Sequence, residues 1–187
     1  MAQPLAELPD SLLMVRLQKG DTAAFDALYQ RYGARLYGYF WRMLSQDKEK
    51  ARDFTQQLFL KLIENQQRYD SKRSFSTWLF TLAANLVKNE YRRLERLQRN
   101  QQKLPRDHPT TELTHQQLDQ PYWNEQLQKA LQQLSPDHRQ CFLLRHQEDR
   151  RIPEISAILG IPEGTVKSRL YYATRYLANQ LARIKNT

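Results

Sequence analysis

Near its carboxyl end, the sequence contains two helical runs separated by a short break, in EISAILGIPEGTVKSRLYYATRYL (residues 154–177). Gly160 in the break can end a helix in the left-handed conformation at little steric cost. Pro162 is tolerated at the start of the next helix, where its missing N–H would have no partner. Two helices joined by so tight a turn cross steeply, as in a helix-turn-helix, whose second helix enters a major groove.

The second run has two different faces when it is drawn as a helix at 100° per residue. One face is apolar and is expected to pack on the domain; it carries Val166, Leu170, Ala173, Leu177 and Leu181. The opposite face carries hydroxyls, phenols and cations: Ser168, Tyr171, Tyr172 and Arg175, flanked by Lys167 and Arg169. Such groups can contact phosphates and base edges. The alternative is a helical hairpin whose basic face is simply solvated.

The charge balance favours a polyanionic partner. The 187 residues include 29 Lys and Arg against 20 Asp and Glu, which gives a net charge of +9. Either nucleic acid or an anionic membrane surface suits this excess. The basic residues are interleaved with acidic ones and do not line one amphipathic face, which disfavours the membrane surface. With only five glycines and little strand-like alternation, the sequence predicts an all-α protein.

A change in composition divides the chain into two modules and a linker. Residues 99–122, RNQQKLPRDHPTTELTHQQLDQPY, are rich in Gln, Thr and Pro and carry no net charge. This segment has too little apolar surface to order itself, so we expect a flexible linker. The flanking segments, residues 1–98 and 123–187, carry surpluses of five and four positive charges. We therefore expect two small helical domains and not one shared core.

Capping residues and helical spacing predict the elements of both modules. The first module should contain four helices: a short one capped by Asp10 or Ser11 and ending near Gly20, one capped by Asp21, one from about Lys48 to Asn65, and one starting near Ser76. The second module should begin with an amphipathic helix at Trp123. Ser135 followed by Pro136 is a strong signal for the start of its second helix, and the two helices around Gly160 complete it.

The sequence lacks the residue sets that enzymes and metal sites require. Cys141 is the only cysteine, which excludes an internal disulfide, and no neighbouring pattern suggests a nucleophile. The four histidines, His108, His115, His138 and His146, do not have the spacing of metal ligands. No glycine-rich phosphate loop is present. We expect a protein that is not an enzyme and that has no cofactor and no metal.

The amino terminus, MAQPLAELPD, has neither the basic start nor the apolar segment of a signal peptide. No apolar run has the length needed to cross a bilayer. We therefore expect a soluble, cytoplasmic protein with no membrane insertion.

Several segments, taken in order, resemble the extracytoplasmic-function sigma factors, which are bacterial transcription initiation subunits of the sigma-70 class. GIPEGTVKSRLYYATRYL resembles the family's C-terminal helix-turn-helix, and LSPDHRQCFLLRH resembles the preceding helix. In the first module, LQKGDTAAFDALYQRY resembles the family's opening, ARDFTQQLFLKLIEN its core-polymerase-binding helix, and FSTWLFTLAANLVKNEYRR the helix that reads and opens the −10 promoter element. Their common order and spacing are more specific than any single segment.

The resemblance implies a sigma factor that binds core RNA polymerase and directs promoter-specific initiation, with residues 1–98 as sigma region 2 and residues 123–187 as sigma region 4. It places core-polymerase binding on Asp53, Gln56, Gln57 and Phe59, with the Phe59 ring expected to be exposed. It places −10 element contacts on Thr77, Trp78, Asn85, Lys88, Asn89, Arg92 and Arg93. It places −35 element contacts on Thr165, Lys167, Ser168, Arg169, Tyr171, Tyr172 and Arg175. The implied partners are core RNA polymerase, promoter DNA and an anti-sigma factor.

Plainer interpretations of these residues remain open at this point. Asn85, which the resemblance assigns to a flipped-out base, could instead bond a neighbouring helix. Phe59 and Trp78 could belong to the core. A rival function is a stand-alone helix-turn-helix transcriptional regulator that binds palindromic half-sites as a dimer, although this leaves the first module unexplained.

The sequence also departs from the family pattern at several positions. Gln57 stands where an acidic residue is usual, Asn89 where Asp is common, and Tyr172 where Arg is frequent. Pro153 begins a helix in EDRRIPEIS, which replaces the usual glycine-containing approach to the helix-turn-helix. These departures concern the promoter sequence and the strength of core binding, and they leave the fold unchanged.

Overall fold

The computed structural model describes residues 4–100 and 120–185, and these residues form helices and turns with no β-strand. The predicted all-α class is therefore confirmed. The α-helices are α1 (Asp10–Gln18), α2 (Thr22–Met43), α3 (Lys48–Asn65), α4 (Phe75–Asn100), α5 (Gln120–Gln133), α6 (Pro136–His146), α7 (Ile152–Leu159) and α8 (Glu163–Lys185). Short 3₁₀ helices occupy Leu5–Glu7 and Gln66–Arg68. Most of the predicted linker lies outside the described residues.

Side-chain caps explain where α2 and α3 begin. Asp21 accepts a hydrogen bond from the Ala23 amide at 3.1 Å, as predicted for the start of α2. Asp47 does the same for α3 by accepting from the Lys50 amide at 3.0 Å. The prediction that Asp10 or Ser11 caps α1 is wrong. Asp10 is the first residue of α1, and its carboxylate accepts hydrogen bonds from Arg31 and Tyr32 of α2.

Helices α1 to α4 pack around an aromatic centre. Tyr39 and Phe40 of α2 and Phe80 of α4 are fully buried. The Tyr39 ring lies edge-on to Phe80, with centroids 5.8 Å apart, a geometry that aromatic quadrupoles favour. Leu58 of α3 is buried in the same cluster. This packing fixes α3 and α4 against α2, so that each presents one polar face to solvent.

Helices α5 to α8 form the C-terminal domain. Ser135 accepts a hydrogen bond from the His138 amide, and Pro136 is the first residue of α6, as predicted. Gly160 follows α7 with φ 64° and ψ 38°, the left-handed conformation predicted for the break. Val166 and Ala173 of α8 are fully buried, so the predicted apolar face is the one that packs on the domain.

The two domains pack against each other, and the expectation of separate cores is wrong. Helix α7 packs on α4, and α5 and α6 pack on α2. Buried apolar residues of both domains form one continuous cluster. Polar side chains also cross the interface: Gln140 of α6 donates a hydrogen bond to the hydroxyl of Tyr39 at 2.7 Å. Charge counts could not reveal this contact, because a count does not say which charged side chains are buried between the domains, as Arg139 is.

Candidate nucleic-acid and polymerase interfaces

The turn between α7 and α8 is closed by short-range hydrogen bonds. The Gly160 amide donates to the Ser156 carbonyl at 2.9 Å, and the Ser156 hydroxyl donates to the Ile161 carbonyl at 2.6 Å. Because the left-handed glycine ends α7 abruptly, α8 begins only three residues later, at Glu163. The turn therefore sets α8 at an angle to α7 and leaves one face of α8 outside the domain.

The outer face of α8 carries most of the residues predicted to read the −35 element. Five of them are exposed: Lys167, Ser168, Tyr171, Tyr172 and Arg175. Arg175 donates a hydrogen bond to the Tyr171 hydroxyl at 3.3 Å, and the Tyr171 and Tyr172 rings lie edge to face. These contacts hold the long side chains side by side on a surface that can meet phosphates and base edges.

Two of the predicted −35 contacts are less accessible than the others. Thr165 is half-buried, and its carbonyl accepts a hydrogen bond from the Ser168 hydroxyl at 3.0 Å. Arg169 is also half-buried and forms an ion pair with Asp137 of α6. The ion pair engages Nη2 of Arg169, so part of its guanidinium is already occupied in this arrangement.

Asn85 lies on α4 with its side chain exposed, between the buried residues Ala84 and Leu86. Among the described residues, its amide makes no hydrogen bond with a neighbouring helix, which was the plainer explanation for an asparagine at this position. Asn85 and Lys88 line a cleft of about 480 Å³ between α4 and the C-terminal domain. An unpartnered amide can bond the edge of a base, because it offers both a donor and an acceptor.

The remaining predicted −10 contacts fall into two groups. Asn89 and Arg92 are exposed along the distal half of α4 and precede Arg96 and Arg99, and these side chains together with Glu95 form a surface with a net positive charge. Arg93 is exposed but forms two hydrogen bonds to Glu90, at 2.7 and 2.9 Å. These hydrogen bonds from Arg93, together with Lys50 at 3.4 Å, lower the pKa of the Glu90 carboxyl.

Thr77 and Trp78, at the start of α4, have structural contacts. The Trp78 ring lies 5.3 Å from Tyr69 and 6.1 Å from Phe75, and it is half-buried. The Thr77 amide donates to the Ser74 hydroxyl at 3.3 Å, which caps the helix. Trp78 therefore anchors the helix start and is still partly exposed to solvent.

The outer face of α3 carries Asp53, Gln56 and Gln57, all exposed as the resemblance implies for polymerase contacts. The expectation that Phe59 is exposed is wrong, because its side chain is only 3% exposed. The Phe59 ring packs 4.7 Å from Tyr29 and 5.8 Å from Phe25. It supports the surface from below and does not form part of it.

Residue-by-residue reasoning missed two exposed apolar side chains on α3. Leu60 is 59% exposed, and Ile63 is also exposed. Leu60 lies one turn from Gln56 and Gln57 and continues their face. A helical wheel could have found both residues, since they fall outside the buried stripe that contains Leu58. The missed residues convert a polar face into a mixed one, as is usual for protein interfaces.

Comparison with known proteins decides the family. Residues 28–97 match the Sigma-70 region 2 model, and residues 124–177 match the Sigma-70 region 4 model. The RNA polymerase sigma factor CarQ of Myxococcus xanthus is 30% identical over 172 residues, which cover 92% of this chain and 97% of CarQ. The ECF RNA polymerase sigma factor SigL of Mycobacterium tuberculosis is 32% identical over 158 residues, 84% of this chain and 88% of SigL. The chain is an extracytoplasmic-function sigma factor.

The fold of this sigma factor is also that of solved relatives. The sigma factor RpoE of Bartonella quintana, in complex with the anti-sigma factor NepR, superposes with a TM-score of 0.66 at 23% identity, over 83% of this chain and 96% of RpoE. The sequence resemblance is therefore confirmed. A sigma factor directs RNA polymerase to promoters, so the rival interpretation as a stand-alone regulator is wrong. The relatives of this chain are sigma factors, which are not enzymes.

Two further properties concern only the described part of this sigma factor. None of its helices is long and apolar enough to span a membrane. Within residues 4–100 and 120–185, no group of His, Cys, Asp and Glu side chains is arranged to hold a metal ion. His108 and His115 lie outside these residues. Cys141 is fully buried, and this burial raises the pKa of its thiol to about 11.

Proposed function

We propose that the N-terminal domain captures the −10 element, with Asn85 holding a base that leaves the stack as the duplex opens. The observation that carries this proposal is the exposed, unpartnered amide of Asn85 on a helix whose continuing surface is basic. Flipping out a base is opposed by an unstacking free energy of a few kcal/mol. Hydrogen bonds from Asn85 to the base edge, together with phosphate contacts from Lys88 and Arg92, offset this free energy.

In the same proposal, the outer face of α3 docks on core RNA polymerase. Asp53, Gln56 and Gln57 supply polar contacts, and exposed Leu60 supplies the apolar part of the interface. Phe59 acts indirectly, because its buried ring holds α3 against α2 through Tyr29. The α3 face and the Asn85 surface lie on different helices, so polymerase binding and base capture can be separated by mutation.

The C-terminal domain places the outer face of α8 in the major groove of the −35 element. Lys167 and Arg175 contact phosphates or guanine edges, and Tyr171 and Tyr172 contact sugars and thymine methyl groups. Tyr172 replaces a cation that is frequent in the family. This substitution removes one electrostatic contact and adds an apolar one, which favours a different base at that position.

The cellular setting follows from these partners. A protein that acts on RNA polymerase and promoter DNA works in the cytoplasm and needs no cofactor, and its own part in transcription is binding and not catalysis. Because the Bartonella quintana relative forms a complex with an anti-sigma factor, we also propose an anti-sigma partner for this chain. Such a partner blocks the factor by covering the polymerase-binding face of α3.

A pair of single substitutions tests the division of roles. Asn85→Ala should weaken promoter opening, measured by permanganate footprinting, and leave core-polymerase affinity unchanged. Gln56→Ala should weaken core-polymerase affinity while leaving the footprint intact at saturating concentration of the factor. Asn179→Ala, at an exposed position of α8 distant from the turn, serves as the matched control and should change neither measurement. If Asn85→Ala reduces core binding and opening to the same extent, the proposed division is wrong.

A further inference from the structure

A row of side chains crosses from α6 to the outer face of α8. The rings of His138 and Tyr172 lie edge to face, with centroids 6.3 Å apart and planes at 81°. Tyr172 makes the same kind of contact with Tyr171, at 5.4 Å and 74°. Arg175 ends the row by donating a hydrogen bond to the Tyr171 hydroxyl at 3.3 Å. His138 of α6 therefore continues the row of α8 side chains that are proposed to contact the −35 element.

This row of side chains faces solvent. Tyr171 and Tyr172 are 58% and 61% exposed, and Arg175 is also exposed, while His138 is half-buried at the edge of the same surface. Two neighbouring phenol rings with so much exposed area contribute little to the core of the domain. Tyrosine is common at binding surfaces, because its ring supplies contact area and its hydroxyl a hydrogen bond. The surface that begins at His138 is thus available to a ligand of α8.

Ser135 fixes the orientation of the His138 ring. Nδ1 of His138 lies 2.6 Å from the Ser135 hydroxyl oxygen, which also accepts a hydrogen bond from the His138 amide at 3.4 Å as the cap of α6. Because this oxygen already accepts from the amide, its own hydrogen is available to Nδ1. The hydrogen of the neutral ring then lies on Nε2, and a protonated ring carries a hydrogen on Nε2 as well. Nε2 of His138 is therefore a hydrogen-bond donor in both states.

The donor at Nε2 of His138 is not used within the chain as far as residues 4–100 and 120–185 are concerned, because none of them accepts a hydrogen bond from it. The adjacent acid, Asp137, forms its ion pair with Arg169 of α8. Nε2 thus keeps a donor free at the edge of an exposed surface. A donor in this position can bond an oxygen of a bound anion, and each backbone phosphate of DNA supplies such oxygens.

The place of His138 beside α8 favours the DNA backbone over a base. In a helix-turn-helix, the recognition helix lies in the major groove, and its side chains contact base edges. The walls of that groove are the two phosphate backbones, so side chains on a neighbouring helix that border the reading surface meet phosphates. His138 is on α6, whereas Tyr172 is on α8. A donor on α6 next to Tyr172 is therefore placed to meet the backbone that borders the groove.

We propose that His138 is a −35 contact outside the recognition helix, and that its Nε2–H donates a hydrogen bond to a phosphate oxygen bordering the base pair that Tyr172 contacts. The inference rests on the proposed function, because it extends the −35 surface of α8. Contacts to phosphates fix the register of a protein on the duplex. His138 thus positions Tyr172 in the groove, and Ser135 in turn positions His138.

Substitutions in the full chain separate this contact from a purely structural role of His138. His138→Leu removes both ring nitrogens but keeps an apolar side chain against Tyr172. His138→Gln retains an N–H donor at a similar distance from the backbone. His146→Leu makes the same change at the exposed last residue of α6 and serves as the matched control. Thermal unfolding followed by circular dichroism verifies that each variant is folded.

The affinity of holoenzyme, assembled from core polymerase and each variant, is measured on a promoter duplex mapped by run-off transcription. A second set of duplexes carries one methylphosphonate at a time along the −35 element, which removes the charge of a single phosphate and one of its acceptor oxygens. Competition with each modified duplex locates the phosphates that the factor contacts. Loss of a side chain that touches DNA changes this map at one position, whereas a loss of helix stability weakens binding to all duplexes alike.

We expect His138→Leu to lower the affinity by about two- to tenfold, the range for one hydrogen bond, and His138→Gln to lower it less. At one phosphate bordering the −35 element, methylphosphonate should weaken binding of wild type and of His146→Leu but have little effect on His138→Leu. A wild-type phosphate map in His138→Leu, with unchanged or uniformly lower affinity, would overturn the contact. Discrete transcripts from all variants would then retain the proposed function, whereas a wild-type holoenzyme with no −35 preference would contradict both proposals.

Discussion

Leu58 and Leu60 are two positions apart on α3, yet Leu58 is fully buried and Leu60 is 59% exposed. Leu58 belongs to the core between α2 and α4, whereas Leu60 continues the face formed by Gln56 and Gln57. Two residues of one helix thus have different roles: Leu58 holds the N-terminal domain together, and Leu60 is proposed to contact core polymerase.

This pair provides a matched test of stability against binding. Leu58→Ala should lower the free energy of unfolding by about 2–5 kcal/mol, because it removes buried methyl groups and leaves a cavity. Leu60→Ala should change it by less than about 0.5 kcal/mol and should instead weaken core-polymerase binding. Urea unfolding and a fluorescence binding assay measure the two effects. Normal core binding by Leu60→Ala would remove Leu60 from the proposed interface.

The break between α7 and α8 should depend on glycine at one position only. Gly160 has φ 64°, and a Cβ added there would meet no atom within 4 Å, so any penalty comes from the backbone. Gly160→Ala should lower the free energy of unfolding by about 1–2 kcal/mol. Gly164→Ala, inside α8 and also in open space, should be neutral or stabilise by up to ~1 kcal/mol. Thermal unfolding measures the stability of both variants. Equal changes in the free energy of unfolding would contradict the role of the left-handed turn.

Acid should weaken the contact between α3 and α4. The pKa of Glu90 is lowered by Arg93 and by Lys50, so its carboxylate stabilises the folded chain above its unfolded pKa of about 4.3. This stabilisation is lost as pH falls through the lower folded pKa. Glu90→Gln should therefore be less stable than wild type at neutral pH, by up to about 1 kcal/mol, and should approach it below pH ~4. Urea unfolding over this pH range measures the difference in the free energy of unfolding between wild type and Glu90→Gln. A difference that does not change with pH would contradict the stabilising role of the Glu90 carboxylate.

Binding of the −35 element should have a measurable electrostatic component at Lys167. Lys167→Ala should weaken binding of holoenzyme to promoter DNA and reduce the slope of log affinity against log salt concentration by about 1. Lys129→Ala removes the same charge from an exposed position on α5 and should leave the slope nearly unchanged. A salt titration by fluorescence anisotropy distinguishes the two variants, and equal slopes would contradict a phosphate contact at Lys167.

The local features of the fold could be predicted from the sequence because they depend on neighbouring residues. Asp21 caps α2, Ser135 and Pro136 start α6, and Gly160 ends α7 through interactions within a few positions of each residue. The outward face of α8 follows in the same way from helical spacing.

Features that depend on distant parts of the chain could not be predicted. Asp10 has the chemistry of a cap, but Arg31 and Tyr32 of the next helix offer it stronger partners. Phe59 lies between Leu58 and Leu60 in the sequence, and its ring is buried against Phe25 and Tyr29 of another helix, which left its exposure open until the structure was known. The pairing of Arg35 with Glu148 joins positions 113 residues apart, and no periodicity indicates it.

Run-off transcription with purified core RNA polymerase over genomic fragments tests the central claim most directly. The account predicts discrete transcripts that appear only when this chain is added, with start sites downstream of a shared pair of −35 and −10 sequences. Failure of the chain to associate with core polymerase, or association without any defined start site, would contradict it.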